Sequence, residues 1–138
     1  MKKDNLKAFF GFIFLTGFIL ISACDKKKGL NPGWLEGTIS IGPICPVEKI
    51  PPDPACMPTA ETYKAYPVSV YTSDGKVKIT QLNPSLDGTF STELPPGNYQ
   101  IVLETANKYI GGSNLPTEVS IVSQENTLLT INIDTGIR

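Results

Sequence analysis

The sequence predicts an all-β domain: an antiparallel β-sandwich of about seven strands, behind a cleaved helical signal peptide. Three observations carry this. From Trp34 onward, apolar residues recur at every second position, the period of a strand with one buried face. Turn residues punctuate those runs, and the 138-residue chain holds 12 Pro and 12 Gly, with Pro at about twice its usual share. After residue 33 no run repeats with the 3.6-residue period of a helix.

The runs follow in order. Leu35, Ile39 and Ile41 alternate with Glu36, Thr38 and Ser40. Val68 and Val70 alternate with Ser69 and Tyr71, and Asp74-Gly75 then marks a hairpin turn. Val77 and Ile79 alternate with Lys76 and Lys78. Asn83-Pro84 and Asp87-Gly88 bracket a further turn, after which Phe90, Thr92 and Leu94 share one face. Pro95-Pro96-Gly97 reverses the chain into Tyr99, Ile101 and Leu103. Val119 with Ile121, and Leu129 with Ile131 and Ile133, complete the set. Parallel pairing would require helical crossovers. No segment offers one, so all neighbours are expected to be antiparallel. Two stretches read as long loops. Gly42 to Pro67 holds seven Pro and cannot be a central strand. Asn107 to Pro116 contains Gly111-Gly112. Long loops on a rigid scaffold are where function concentrates.

The first 23 residues carry a different signal. Lys2, Lys3 and Lys7 form a basic start, residues 8–21 are a 14-residue apolar run, and small residues follow. That is the layout of a secretory signal, and the run falls short of the ~20 residues of a spanning helix. Ile21-Ser22-Ala23-Cys24 resembles the bacterial lipobox. The resemblance implies cleavage before Cys24 and diacylglycerol on its sulfur, with membrane lipid as the partner of the acylated cysteine. The other reading is an ordinary signal peptide with an accidental Cys. Asp25 resembles an inner-membrane retention signal of enteric bacteria, but Lys26 departs from that pattern, so inner and outer membrane both stay open.

The expected organisation is a signal peptide at 1–23, a lipidated flexible tether at 24–33 and a β-sandwich at 34–138. Lys26, Lys27 and Lys28 of the tether either attract an anionic surface, at about 1 kcal/mol each, or form a solvated linker. The full chain has 12 basic and 13 acidic residues. Without Lys2, Lys3, Lys7 and Asp4 the mature chain has 9 and 12. Setting aside Asp25 and the three tether lysines leaves 6 and 11, an acidic body that disfavours nucleic acid and anionic glycans. With Cys24 lipidated, Cys45 and Cys56 remain as an even pair in an oxidising compartment. Their spacing does not fit a CxxC metal or redox site, so a disulfide is expected.

Asp87-Gly88-Thr89-Phe90 followed by Leu94-Pro95-Pro96-Gly97-Asn98-Tyr99 resembles the signature of the carboxypeptidase regulatory-like, or transthyretin-like, β-sandwich. Gly37-Thr38-Ile39 and Val68-Ser69-Val70 are similar to its first strands. Gly42-Pro43-Ile44-Cys45-Pro46-Val47 resembles a variant in secreted bacterial members. The resemblance, over residues 34–105, implies a prealbumin-like or Ig-like sandwich that serves as a non-catalytic folding or interaction module.

Catalytic chemistry finds little purchase. The chain has no His, which excludes a Ser-His-Asp triad. It has no G-x-S-x-G elbow and no phosphate-binding loop. Asp53, Asp74, Asp87 and Asp134 fall in turns or near a terminus, where Asp bonds its own backbone. No catalytic residue, metal site or cofactor is expected. Trp34, Tyr63, Tyr66, Tyr71 and Tyr109 lie near strand edges or loops. They either cap the open ends of a small core or stack on a sugar or partner protein, with Tyr63, Tyr66 and Tyr109 as the ligand-binding candidates. The expected function is therefore that of a lipid-anchored, non-catalytic envelope module with an unknown protein or glycan partner. A carbohydrate- or peptide-binding module is the alternative.

Overall fold

The structure is a computed structural model, which describes residues 31–47, 49–105 and 111–138. The signal peptide, Cys24 and Tyr109 lie outside these residues. Among the described residues, eight strands form two four-stranded sheets packed face to face. In chain order the strands are β1 (Gly33–Gly42), β2 (Val68–Thr72), β3 (Lys78–Gln81), β4 (Thr89–Leu94), β5 (Gly97–Leu103), β6 (Gly112–Ser113), β7 (Thr117–Ile121) and β8 (Asn126–Asp134). One sheet runs β4-β1-β8-β6 and the other β3-β2-β5-β7. The alternating apolar residues meet between them. Leu35, Ile39, Ile41, Phe90, Leu94, Ile131 and Ile133 come from the first sheet, and Val68, Val70, Tyr99, Ile101 and Ile121 from the second.

Two expectations need correction. The first is that every pair is antiparallel: β1 and β8 pair in parallel from Trp34↔Asn126 to Gly42↔Asp134. A parallel pair needs a long return path, not specifically a helix. Here the whole second sheet, together with β4 and β6, is that path. The second concerns Val77 and Ile79, whose alternation suggests an inward-facing pair. Both are exposed, and Leu82 takes the core position. A register shift between Val70 and Tyr71 sets this phase. Thr80 pairs with Val70, and the Leu82 N–H donates to Val68 O at 2.9 Å.

The Gly42–Pro67 segment crosses between the sheets and contains a short α1 (Ala60–Ala65), which the sequence reading draws as loop. Six residues are too few to show a helical period. What marks the helix is its cap. The Thr62 N–H donates to Thr59 Oγ1 at 3.3 Å, and the Thr59 N–H donates to Thr62 Oγ1 at 3.0 Å.

The turn residues behave as their chemistry requires. Gly88 has φ +84°, and a Cβ there would sit 2.4 Å from Ile39 O. Its carbonyl accepts from the Ile39 N–H at 2.8 Å, which locks the turn to β1. Tyr99 turns its ring inward and donates its hydroxyl to Pro95 O at 2.7 Å, closing the reversal between β4 and β5.

Candidate functional site

Cys45 and Cys56 are joined in a disulfide, with Cα atoms 5.3 Å apart. The loop it closes hangs from the end of β1. It carries a 3-10 turn at Pro54–Cys56, capped by Asp53 Oδ1 accepting from the Ala55 N–H at 3.0 Å. Val47, Ile50 and Met57 of this segment are exposed. A groove of about 500 Å³ runs beside the bond, between Pro43, Cys45 and Cys56 on one side and Asn132 and Asp134 on the other.

Among the described residues, the aromatic candidates do not assemble into one row. Tyr63 lies on α1 and Tyr66, three residues on, is the residue that caps its C-terminus. Both are half-buried and pack against the edge of the core. Burial, and then the charge of Asp87, push the Tyr63 hydroxyl pKa up. Tyr63 also lines a second groove, of about 360 Å³, between α1 and the Gln81–Leu86 segment. Tyr71 lies on the outer face of the second sheet. Trp34 lies on the outer face of the first.

The most strongly perturbed carboxylates are held in side-chain hydrogen bonds. Glu104 accepts from Lys78 Nζ at 2.7 Å, from Ser69 Oγ at 3.0 Å and from the Tyr71 hydroxyl. These bonds, led by the one from Lys78, lower its pKa to about 2. Sequence reasoning missed this cluster, because Ser69 and Tyr71 look like ordinary solvent-facing positions and Glu104 lies 26 residues beyond Lys78. Asp134 accepts from Arg138 at 2.7 and 3.1 Å and from the Gly136 N–H at 2.8 Å. Its pKa falls to about 2, first through Arg138. Asp74 and Asp87 bond their own turns. Asp87 Oδ1 accepts from the Thr89 N–H at 3.0 Å and its hydroxyl at 2.7 Å. Asp74 accepts from the Lys76 N–H at 3.2 Å. Among the described residues, no group of three His, Cys, Asp or Glu side chains could hold a metal ion.

No known family profile and no curated protein matches the chain. Solved structures do resemble it. The minor pilin GBS52 of the gram-positive pathogen Streptococcus agalactiae superposes with a TM-score of 0.52 at 14% identity, over 77% of this chain and 45% of the pilin. A DUF3823 family protein from Parabacteroides merdae is 18% identical, with a TM-score of 0.46, over 76% of this chain and 47% of its own. The chain thus spans less than half the length of either. At such identities the likeness to the pilin is one of fold, and the fold is a β-sandwich.

Proposed function

We propose that this chain is a lipid-anchored, extracytoplasmic β-sandwich of the carboxypeptidase regulatory-like kind, acting as a non-catalytic structural or interaction module of the bacterial cell envelope. The observation that carries the reading is the cysteine account. The chain has three cysteines. Cys45 and Cys56 satisfy each other, and the third stands in Ile21-Ser22-Ala23-Cys24 directly after an apolar run. A disulfide suits an oxidising compartment, and two or more acyl chains hold a protein stably at a bilayer. The perturbed carboxylates are all consumed by structural bonds, which supports a module without catalysis. Likeness of fold to a minor pilin agrees with a structural role.

The test is metabolic labelling with a palmitate analogue, followed by membrane fractionation. The wild-type chain is expected to take up label and sediment with membranes, and Cys24→Ala to lose both properties. Equal behaviour of the two chains would reject the anchor. The groove beside Tyr63 favours a second reading, a peptide- or glycan-binding module. An array screen checks it: a hit lost on Tyr63→Ala in a folded variant supports binding there, and silence across broad ligand sets counts against it.

A further inference from the structure

Building on the lipid-anchor reading, we infer that the end of the sandwich where the chain enters it rests on the bilayer, with Trp34 seated in the zwitterionic headgroup layer. The entry point is clamped to the turn between β7 and β8. Ser123 Oγ donates to Asn31 O at 2.7 Å, the Gln124 N–H to Pro32 O at 2.9 Å and the Trp34 N–H to Glu125 O at 2.9 Å. The seven residues from Cys24 to this clamp reach at most about 25 Å even when fully extended. The opposite, disulfide-bearing end lies beyond β1, whose ten residues span about 33 Å. An acylated Cys24 therefore holds the Trp34 end close to the lipid and leaves the other end far from it.

The side chains at this end fit that neighbour. Trp34, Val122 and Leu128 are 37%, 47% and 79% exposed. All three lie towards the clamped end of the sandwich. Trp34 pairs with Asn126, which places Leu128 two residues along the same outer face. Val122 opens the clamped turn on the inward side of Gly33: its carbonyl lies 2.1 Å from where a Cβ on Gly33 would be and accepts from the Glu125 N–H at 3.3 Å. An indole beside aliphatic groups is the composition of a membrane-interface anchor. The neighbouring acids limit its depth. Glu93 stands opposite Trp34 in the β1–β4 register and Glu125 is exposed. The Glu36 carboxylate accepts from Ser91 Oγ at 3.3 Å and Asn126 Nδ2 at 3.0 Å. Three carboxylates around one indole keep the contact at headgroup level and favour zwitterionic over anionic lipid.

Trp34 is the only Trp in the chain, so the wild-type protein reports on itself. The full lipidated chain is reconstituted into phosphatidylcholine vesicles whose acyl chains are brominated close to the headgroup. Flotation is measured alongside fluorescence. The expected result is that Trp34 loses about half or more of its emission and is shielded from aqueous acrylamide, as for an interfacial indole. A second chain, Ile50→Trp in a Trp34→Phe background, moves the reporter to the exposed disulfide loop and is expected to lose little. A floating protein whose Trp34 is unquenched, or a disulfide-loop reporter quenched more than Trp34, overturns the orientation and leaves the anchor standing. Failure of the wild-type chain to float overturns the anchor itself, and this inference with it.

Discussion

Ser69 places a fully buried hydroxyl in a strand otherwise buried by Val68 and Val70, and that hydroxyl donates to Glu104. Removing the acceptor leaves a buried donor unsatisfied, which costs about 1–3 kcal/mol. Glu104→Ala is therefore expected to lower unfolding stability in urea by that much, while Glu104→Gln, which keeps an acceptor oxygen, costs less. An unchanged midpoint in the alanine variant would show that the cluster is idle. Tyr99→Phe removes a single hydroxyl bond to Pro95 O while keeping the ring in the core. Its expected cost is about 0.5–1.5 kcal/mol, read from the same denaturation curves. Both aromatic and turn residues of the Leu94–Tyr99 motif were legible in the sequence, because a turn and the ring beyond it are local in the chain. The partners of Glu104 were not, because they come from strands brought together only by folding.

At the scale of elements, β1 is the strand on which the first sheet depends, paired antiparallel to β4 on one side and parallel to β8 on the other. Gly37 sits in the middle of both ladders, and a Cβ there would lie 1.7 Å from Leu129 O. That atom belongs to the backbone of a core strand and cannot swing aside. Gly37→Ala is expected to destabilise the fold by at least about 2 kcal/mol, towards the upper end of overpacking costs. Retained stability in calorimetry would mean that β1 and β8 are not held at this register. The Cys45–Cys56 loop is a separate element. Chain entropy gives roughly 3 kcal/mol for a closed loop of this size. Pro46, Pro51, Pro52 and Pro54 already restrict the unfolded segment, which reduces that figure. Reduction, or the double substitution Cys45→Ala with Cys56→Ala, is expected to cost about 1–3 kcal/mol and to leave the far-ultraviolet β spectrum in place. Loss of that spectrum would mean that the loop, not the sheet, nucleates the core. The pairing was foreseeable from the cysteine count and the expected compartment, whereas α1 was not, since one turn and a half leaves no periodic trace.

For the molecule as a whole, stability should follow the carboxylates. Glu104 and Asp134 titrate near 2 in the folded chain, and Asp74 and Asp87 are also held below their ordinary values. Each folded pKa is depressed, so each group's contribution is present above its unfolded pKa, near 4 to 4.5, and fades as pH falls towards 2. The melting temperature is thus expected to be flat from pH 7 to about 5 and to fall below that. In Glu104→Gln the fall should be shallower. A Tm that rises on acidification would contradict the assigned bonds. Because the chain has no His, no imidazole titration is superimposed on this profile between pH 5 and 8.

Alternation of apolar residues, the turn chemistry of Asp87-Gly88 and Leu94-Pro95-Pro96-Gly97, and the even pair of cysteines determined by themselves that this chain makes a two-sheet sandwich with a pinned crossing loop. These are local or countable properties, and side-chain period in a strand follows from backbone geometry alone. Which strands lie side by side was decided only in three dimensions. The parallel seating of β8 on β1, the inward turn of Leu82 in place of Val77 and Ile79, and the gathering of Ser69, Tyr71 and Lys78 about Glu104 all depend on contacts between distant segments. A strand's own pattern says which face is buried, not which neighbour will cover its edge.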